Sequence, residues 1–281
     1  MDWLEDHKIP IGQWAKAFVD WLTAHAAWLF DAIAIVLEHV IDAILWVLQT
    51  PHPLIVVAVT VVLAYVVRRK VSFAVFVLLA MLLIINQGYW EETTETLALV
   101  ISSTMVCMIV GVPIGVAAAH RPWLYEALRP ILDLMQTIPT FVYLIPALIL
   151  FGLGMVPGLI ATVIFAVPSP IRLTQLGISS TPKALIEAGE AFGATKRQLL
   201  WKVELPYALP NIMAGLTQTI MLSLSMVVIA ALVGADGLGV PTLRALNQVN
   251  IARGFEVGVA IVLVAIVLDR FFRREPSSGG R

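Results

Sequence analysis

Apolar runs of helical length alternate with short polar links through most of this chain. The runs fall at about residues 53–67, 71–85, 97–119, 131–151, 159–175, 211–233 and 255–268. They predict an all-α integral membrane protein with about seven transmembrane helices. The first two runs are short for a full crossing, so flanking residues or a thinned bilayer must make up the difference. Pro139 and Pro146 interrupt the fourth run, and Pro168 and Pro170 stand near the end of the fifth. Gly111 and Gly115, one helical turn apart, mark a face where another helix comes close. His120 to Arg129 reads as a short polar link, and Gly152 to Gly158 as a turn.

Residues 1–50 carry a different pattern. Asp31, Glu38 and Asp42 share one side of a helical wheel, apolar residues fill the rest, and Trp3, Trp14, Trp21, Trp28 and Trp46 recur along it. A long amphipathic helix in the membrane interface has this signature, with tryptophans at headgroup depth. The alternative is a span over 28–48, which would bring three carboxylates into the bilayer. The chain thus divides into an interfacial arm at 1–50, two N-terminal spans at 51–88, a main transmembrane domain at 89–272 and a short tail at 273–281.

One polar stretch stands out among the apolar runs, Ser180 to Pro210. Thr181 is placed to cap a helix that has Pro182 at its first position. Lys183 and Glu187 share one face, while Leu185, Ala188 and Phe192 share another. Gly193 would end this helix in a left-handed residue. Thr195 and Gln198 have capping-box spacing for a second short helix, which Leu205-Pro206 would stop. Two short helices hinged at a glycine make a rigid knob that another protein can grip. A well-capped interhelical loop explains the same signals.

Composition narrows the class. Hydrophobic residues make up 59% of the chain and charged residues 13%, which excludes an ordinary soluble domain, where about a quarter of residues are charged. Net charge is −1, so nothing points to nucleic acid. The lone cysteine, Cys107, lies in an apolar run and reads as a small core residue. Asp2, Glu5 and Asp6 precede the first lysine, the wrong charge for a signal peptide. If the 180–210 loop faces the cytoplasm, only Lys8, Lys16, Arg244 and Arg253 of the 18 Lys and Arg fall on the opposite side. The positive-inside rule favours that orientation, with the N-terminus outside and the C-terminus cytoplasmic. No phosphate-binding G-x-x-x-x-G-K-[ST] occurs, the five histidines have no metal spacing, and no residue set looks catalytic. Asp133, Arg172 and Asp269 lie near predicted span ends, where snorkelling or capping accounts for them.

The spacing inside the polar loop is more specific than its helix signals. Glu187-Ala188-Gly189, three residues, Gly193, nine residues, Val203, one residue and Leu205-Pro206 resembles the EAA signature of ABC-importer permeases. Gly189 stands where the family usually has Ala, and Val203 where it usually has Ile. Phe141-Val-Tyr-Leu-Ile-Pro146, the block 165–173, the block 219–230 and Gly237-Leu-Gly239 resemble the permeases of glycine betaine, proline betaine and choline uptake systems. The resemblance covers about residues 90–272.

That resemblance implies a type I importer permease in a bacterial inner membrane, serving osmoprotection. It would be a transport subunit and no enzyme, carrying quaternary ammonium solutes; trimethylamine N-oxide or another small solute is the alternative. A self-contained secondary carrier is a further reading, but it would not need the capped knob. The family implies a homodimer, an external substrate-binding protein and a separate ATPase subunit. The ATPase, and no site in this chain, would hold ATP and Mg. Glu187, Ala188, Gly189, Gly193, Leu205 and Pro206 would then form the ATPase-coupling site. Candidate path residues are Thr137, Thr140, Phe141, Tyr143, Gln218, Ser223 and Ser225, with Gln175 a further polar residue in a span. Such side chains also join helices, so both roles stand open. Any solute site in the permease alone is expected to be weak. Gly234 to Gly239 reads as a tight turn on the side opposite the knob, with Asp236 a candidate contact for the binding protein.

Overall fold

The computed structural model describes residues 10–272, and among these every regular element is a helix. The tail at 273–281 and Trp3 lie outside the described residues. Helix α1 (Ile11–Gln49) is the arm. Its Leu37 and Ile41 are buried in the main core, while Asp31, Glu38 and Asp42 stay exposed along with Trp14, Trp21, Trp28 and Trp46. A 98° bend separates α1 from α2 (Pro53–Arg68). Two helices at a right angle cannot both run along the membrane normal.

His52 builds the corner. Its ring accepts the Leu54 N–H, and Pro53 takes the first helical position, where a missing N–H costs nothing. Helix α2 and α3 (Val71–Asn86) form a short antiparallel pair, joined where Arg69 adopts a left-handed conformation.

Helix α4 (Trp90–His120) begins seven residues earlier than its apolar run and is a full span of 31 residues. The segment after it departs from expectation. Residues 120–129 are not a loop, because α5 (Pro122–Thr137) is helical from Pro122 onward. The fourth apolar run is likewise not one helix: α5 meets α6 (Thr140–Phe151) at 95°. Pro139 is the cause, since it drives Ile138 into extended backbone (ψ 130°). Pro146 interrupts nothing and is carried inside α6. Twelve residues reach about 18 Å, well short of a crossing.

Helix α7 (Met155–Ala166) runs on into α8 (Pro168–Ser179) as one mostly buried span. The knob follows, then α11 (Leu205–Ala230), a short α12 (Gly239–Asn247) and α13 (Ile251–Phe272). Four helical stretches, 90–120, 155–179, 196–233 and 251–272, have the length and apolarity to cross alone. Two bent pairs add to them, α1 with α2 and α5 with α6, and α3 is a shorter apolar helix.

Helices α4, α8 and α11 pack most extensively, and glycines set their spacing. A Cβ on Gly111 would come within 2.8 Å of Pro170, and one on Gly115 within 2.7 Å of the Ile171 carbonyl. Gly177 of α8 meets Ala208 and Asn211 of α11, and Gly215 of α11 meets Pro170 and Leu173. Dispersion at close backbone approach holds such helices in lipid, where the hydrophobic effect offers little between them. Around this trio, Leu99, Leu159, Val227, Leu238 and Val257 form the main core.

Candidate functional site

The knob is built from two helices at the end of the bundle where α8 stops. The first, α9 (Lys183–Ala191), begins after Pro182 with no side-chain cap. Thr181 does not take the expected capping role: it is buried and its hydroxyl has no hydrogen-bond partner. Pro182 itself, in extended backbone, starts the helix. The other terminus follows the local signals. Gly193 has φ +75°, its N–H reaches the Glu190 carbonyl (2.8 Å), and the Ala194 N–H reaches the Gly189 carbonyl (3.1 Å). This paired closure needs a residue free to adopt left-handed backbone.

Helix α10 (Lys196–Leu199) opens with the capping box formed by Thr195 and Gln198. Leu205-Pro206 does not stop it. A π turn over Leu200–Glu204 carries the chain straight into α11, so 196–233 is continuous helix. The widened turn resolves the conflict. In it the Leu205 N–H reaches back to the Leu200 carbonyl, and Pro206, near the start of α11, has no N–H to place. The second half of the knob is therefore rigidly part of a span.

The coupling candidates divide by exposure. Glu187, Ala188 and Gly193 are exposed, and so is Pro206. Gly189 turns inward: a Cβ there would sit 2.5 Å from Leu199 Cδ2 and within 4 Å of Val203. Its lack of a side chain lets α9 lie against α10 and the π turn. Leu205 is half-buried and packs under Ile178, Ala208 and Ile212 with Met108, Val112 and Val116 of α4. Phe192, which the sequence placed on one face with Leu185 and Ala188 and not among the coupling residues, is 93% exposed just past the end of α9, and Leu185 and Trp201 are exposed as well. Sequence reasoning missed His120 and Glu204. Glu204 is 8% exposed, and both carboxylate oxygens face His120 Nε2, at 3.0 and 3.2 Å. An acid between Val203 and Leu205 of the motif was the available signal; once buried, such a group requires a partner.

The path candidates do not converge as a set. Ser223 is fully buried and accepts a hydrogen bond from Ser103 Oγ (3.1 Å), joining α11 to α4. Gln218 and Ser225, seven residues apart on α11, are exposed on a different face. Ser225 bonds back to the Met221 carbonyl. Thr137 ends α5 in an exposed position, Thr140 and Phe141 begin α6, and Phe141 is 57% exposed. The Tyr143 ring packs with Leu144, Ala161 and Met226, and its hydroxyl is buried without a partner. Gln175 is half-buried and donates to Ser179. Asp133 and Arg172, expected to snorkel or cap, pair with each other at 2.6 Å between α5 and α8.

The Gly234–Gly239 turn clamps onto the start of α4. Gly234 and Gly237 have positive φ, and a Cβ on Gly237 would come within 2.7 Å of Thr96 Oγ1. That hydroxyl accepts the buried Leu238 N–H at 2.8 Å. A Cβ on Gly239 would overlap the Val227 carbonyl. Asp236 remains exposed beside this turn.

Residues 111–274 match the family described as binding-protein-dependent transport system inner membrane component. The chain is 46% identical over 263 residues to the glycine betaine transport system permease protein OpuAB of Bacillus subtilis, covering 94% of this chain and 93% of that one. It is 40% identical over 262 residues to the glycine betaine/proline betaine transport system permease protein ProW of Escherichia coli, covering 93% and 74%. Among solved structures it resembles the inward-facing MetNI methionine ABC transporter, at 26% identity and a TM-score of 0.58, over 64% of this chain and 91% of that one.

Proposed function

We propose, from the premise that this chain belongs to the family of binding-protein-dependent transport system inner membrane components, that it is the permease of a glycine betaine-type ABC importer and takes its power stroke through the knob. It is a multi-pass inner-membrane transport subunit and not an enzyme; ATP hydrolysis belongs to a separate subunit. Its solutes are quaternary ammonium compounds of the glycine betaine and proline betaine type. The near full-length similarity to permeases of those two solutes supports the assignment.

The observation that carries the coupling reading is the knob's construction. Exposed Glu187 and Ala188 stand on α9 with exposed Phe192 just past its end, and a glycine closure and the Gly189–Leu199 contact lock this helix onto one continuous with span α11. A groove on the ATPase receives these residues, Glu187 supplying a directional polar contact and Phe192 an apolar one. Gly193 and Gly189 hold the shape, and Leu205 and Pro206 join it to the bundle. The ATPase binds ATP and Mg. When two ATPase subunits close, the knobs of two copies of this chain approach, and the packed trio α4, α8 and α11 tips between two states. The knob faces the cytoplasm, the N-terminus lies outside, and an external binding protein selects the solute and docks near Asp236. The solute passes along a path that includes exposed Gln218, Ser225 and Phe141, with Thr137 and Thr140 at its edge.

Co-expression with an ATPase and a binding protein of such an importer, followed by affinity purification and uptake of labelled solute, tests this. Wild type should recover both partners' activity and transport glycine betaine ahead of choline and trimethylamine N-oxide. Glu187→Arg or Gly193→Pro should leave the permease in the membrane yet abolish uptake. Wild-type uptake by both variants, or solute transport without any ATPase, refutes the proposal.

A further inference from the structure

The coupling reading leaves one mechanical question, how the stroke reaches α4. The knob runs as unbroken helix only into α11 and joins α8 through residues 180–182; it meets α4 only through side chains. Most of that meeting is apolar, with Val112, Val116 and Ala119 of α4 beside Leu200 and Leu205. Apolar contacts of this kind slide at little cost. One contact is directional, the 3.0 and 3.2 Å approach of His120 Nε2 to the Glu204 carboxylate, 84 residues away along the chain.

Four features make this contact a strut and not a surface ion pair. Glu204 keeps only 10% of its side-chain exposure, against 45% for His120, so the acid depends on this partner although the histidine still meets solvent. It occupies the last position of the π turn, where an extra residue rotates the following helix face relative to the knob. Such turns recur at functional sites. His120 is fixed from its other side, with Nδ1 at 2.9 Å from the Val116 carbonyl. Each of the two ring nitrogens therefore faces an oxygen, and the ring sits at the negative end of α4.

We propose that His120 and Glu204 are positioning residues for coupling: their pair ties the C-terminal end of α4 to the junction of knob and α11, so that α4 turns with α11 when the knob is driven. This inference rests on the reading that the ATPase grips the knob. The pair itself touches neither the gripped surface nor the solute; it sets whether the movement of one helix becomes the movement of two.

The test uses the assembled importer in liposomes and compares wild type, His120→Ala, Glu204→Gln, the double variant His120→Ala/Glu204→Gln, and His120→Arg. Co-purification of the ATPase with wild-type permease is scored first, and its absence would defeat the docking reading separately. Given an assembled complex, His120→Ala and Glu204→Gln should still retain the ATPase and hydrolyse ATP. Each should transport at least about fivefold less solute per ATP, the low end of a typical coupling free energy. The double variant should be no worse than either single one, and His120→Arg should regain most of the stoichiometry. Two outcomes overturn the proposal. One is an unchanged solute-to-ATP ratio in both single variants. The other is a parallel loss of transport and hydrolysis, which marks a role in stability alone.

Discussion

Replacing Gly115 by alanine adds a single methyl group, and the structure specifies where it goes. The new Cβ would lie 2.7 Å from the Ile171 carbonyl oxygen and 2.7 Å from Thr174 Cβ on α8. Ordinary contacts need about 3.4 to 4 Å, and a helical carbonyl cannot rotate aside as a side-chain tip can. The helices must therefore part by nearly an ångström where they are closest. Overpacking of this kind costs about 1–3 kcal/mol. Alanine also gains about 1 kcal/mol over glycine in a helix interior, which offsets part of that cost. Gly258→Ala on α13 separates the two effects, because its added Cβ meets nothing within 4 Å. It collects the propensity gain without the clash, so the gap between the two variants is the overpacking cost itself, about 1–3 kcal/mol. The protein supplies its own probe. Cys107, the only cysteine, is buried against Ala166, Val167 and Ile171, beside the same α4–α8 seam. Labelling of this thiol by a fluorogenic maleimide during heating in detergent reports the seam opening. Gly115→Ala should label at lower temperature than wild type, and Gly258→Ala at the same or a higher one. Equal curves, or the reverse order, would refute the claim that close approach is what demands glycine at 115.

Other consequences follow from single contacts. Thr96→Val keeps shape but strands the buried Leu238 N–H, so it should lower thermal stability by about 1–3 kcal/mol in the same thiol assay. Ser223→Ala should cost at most about 1 kcal/mol, because the Ser103 hydroxyl keeps its bond to the Val100 carbonyl, and Ser225→Ala should leave the labelling curve in place. Gly193→Ala must hold a side chain at φ +75° in otherwise open space, a strain of about 1–2 kcal/mol. It should reach the membrane at wild-type level and show reduced uptake, with expression measured by blot and uptake with labelled glycine betaine.

The sequence by itself determined much of what acts within a turn or two of helix, the Thr181 cap being an exception. The Gly193 closure, the Thr195–Gln198 box and the spacing of Gly111 and Gly115 are all local, and each has its expected form or place; the apolar runs other than the fourth also fall on helices. The motif's spacing likewise located the knob before any fold was known. Tertiary structure decided the rest. Whether Pro139 or Pro146 would break the fourth run depended on which bend the neighbouring helices accommodate. Whether Leu205-Pro206 would end a helix depended on the π turn. Gly189 turned inward, Ser223 and Ser225 took opposite environments, and Arg172 found Asp133 on another helix, because the rotation of each helix is set by what it packs against. The pairing of His120 with Glu204 is the furthest from sequence: no local rule links residues 84 apart, and only the stacking of α4 beside α11 brings a buried acid to the imidazole that satisfies it.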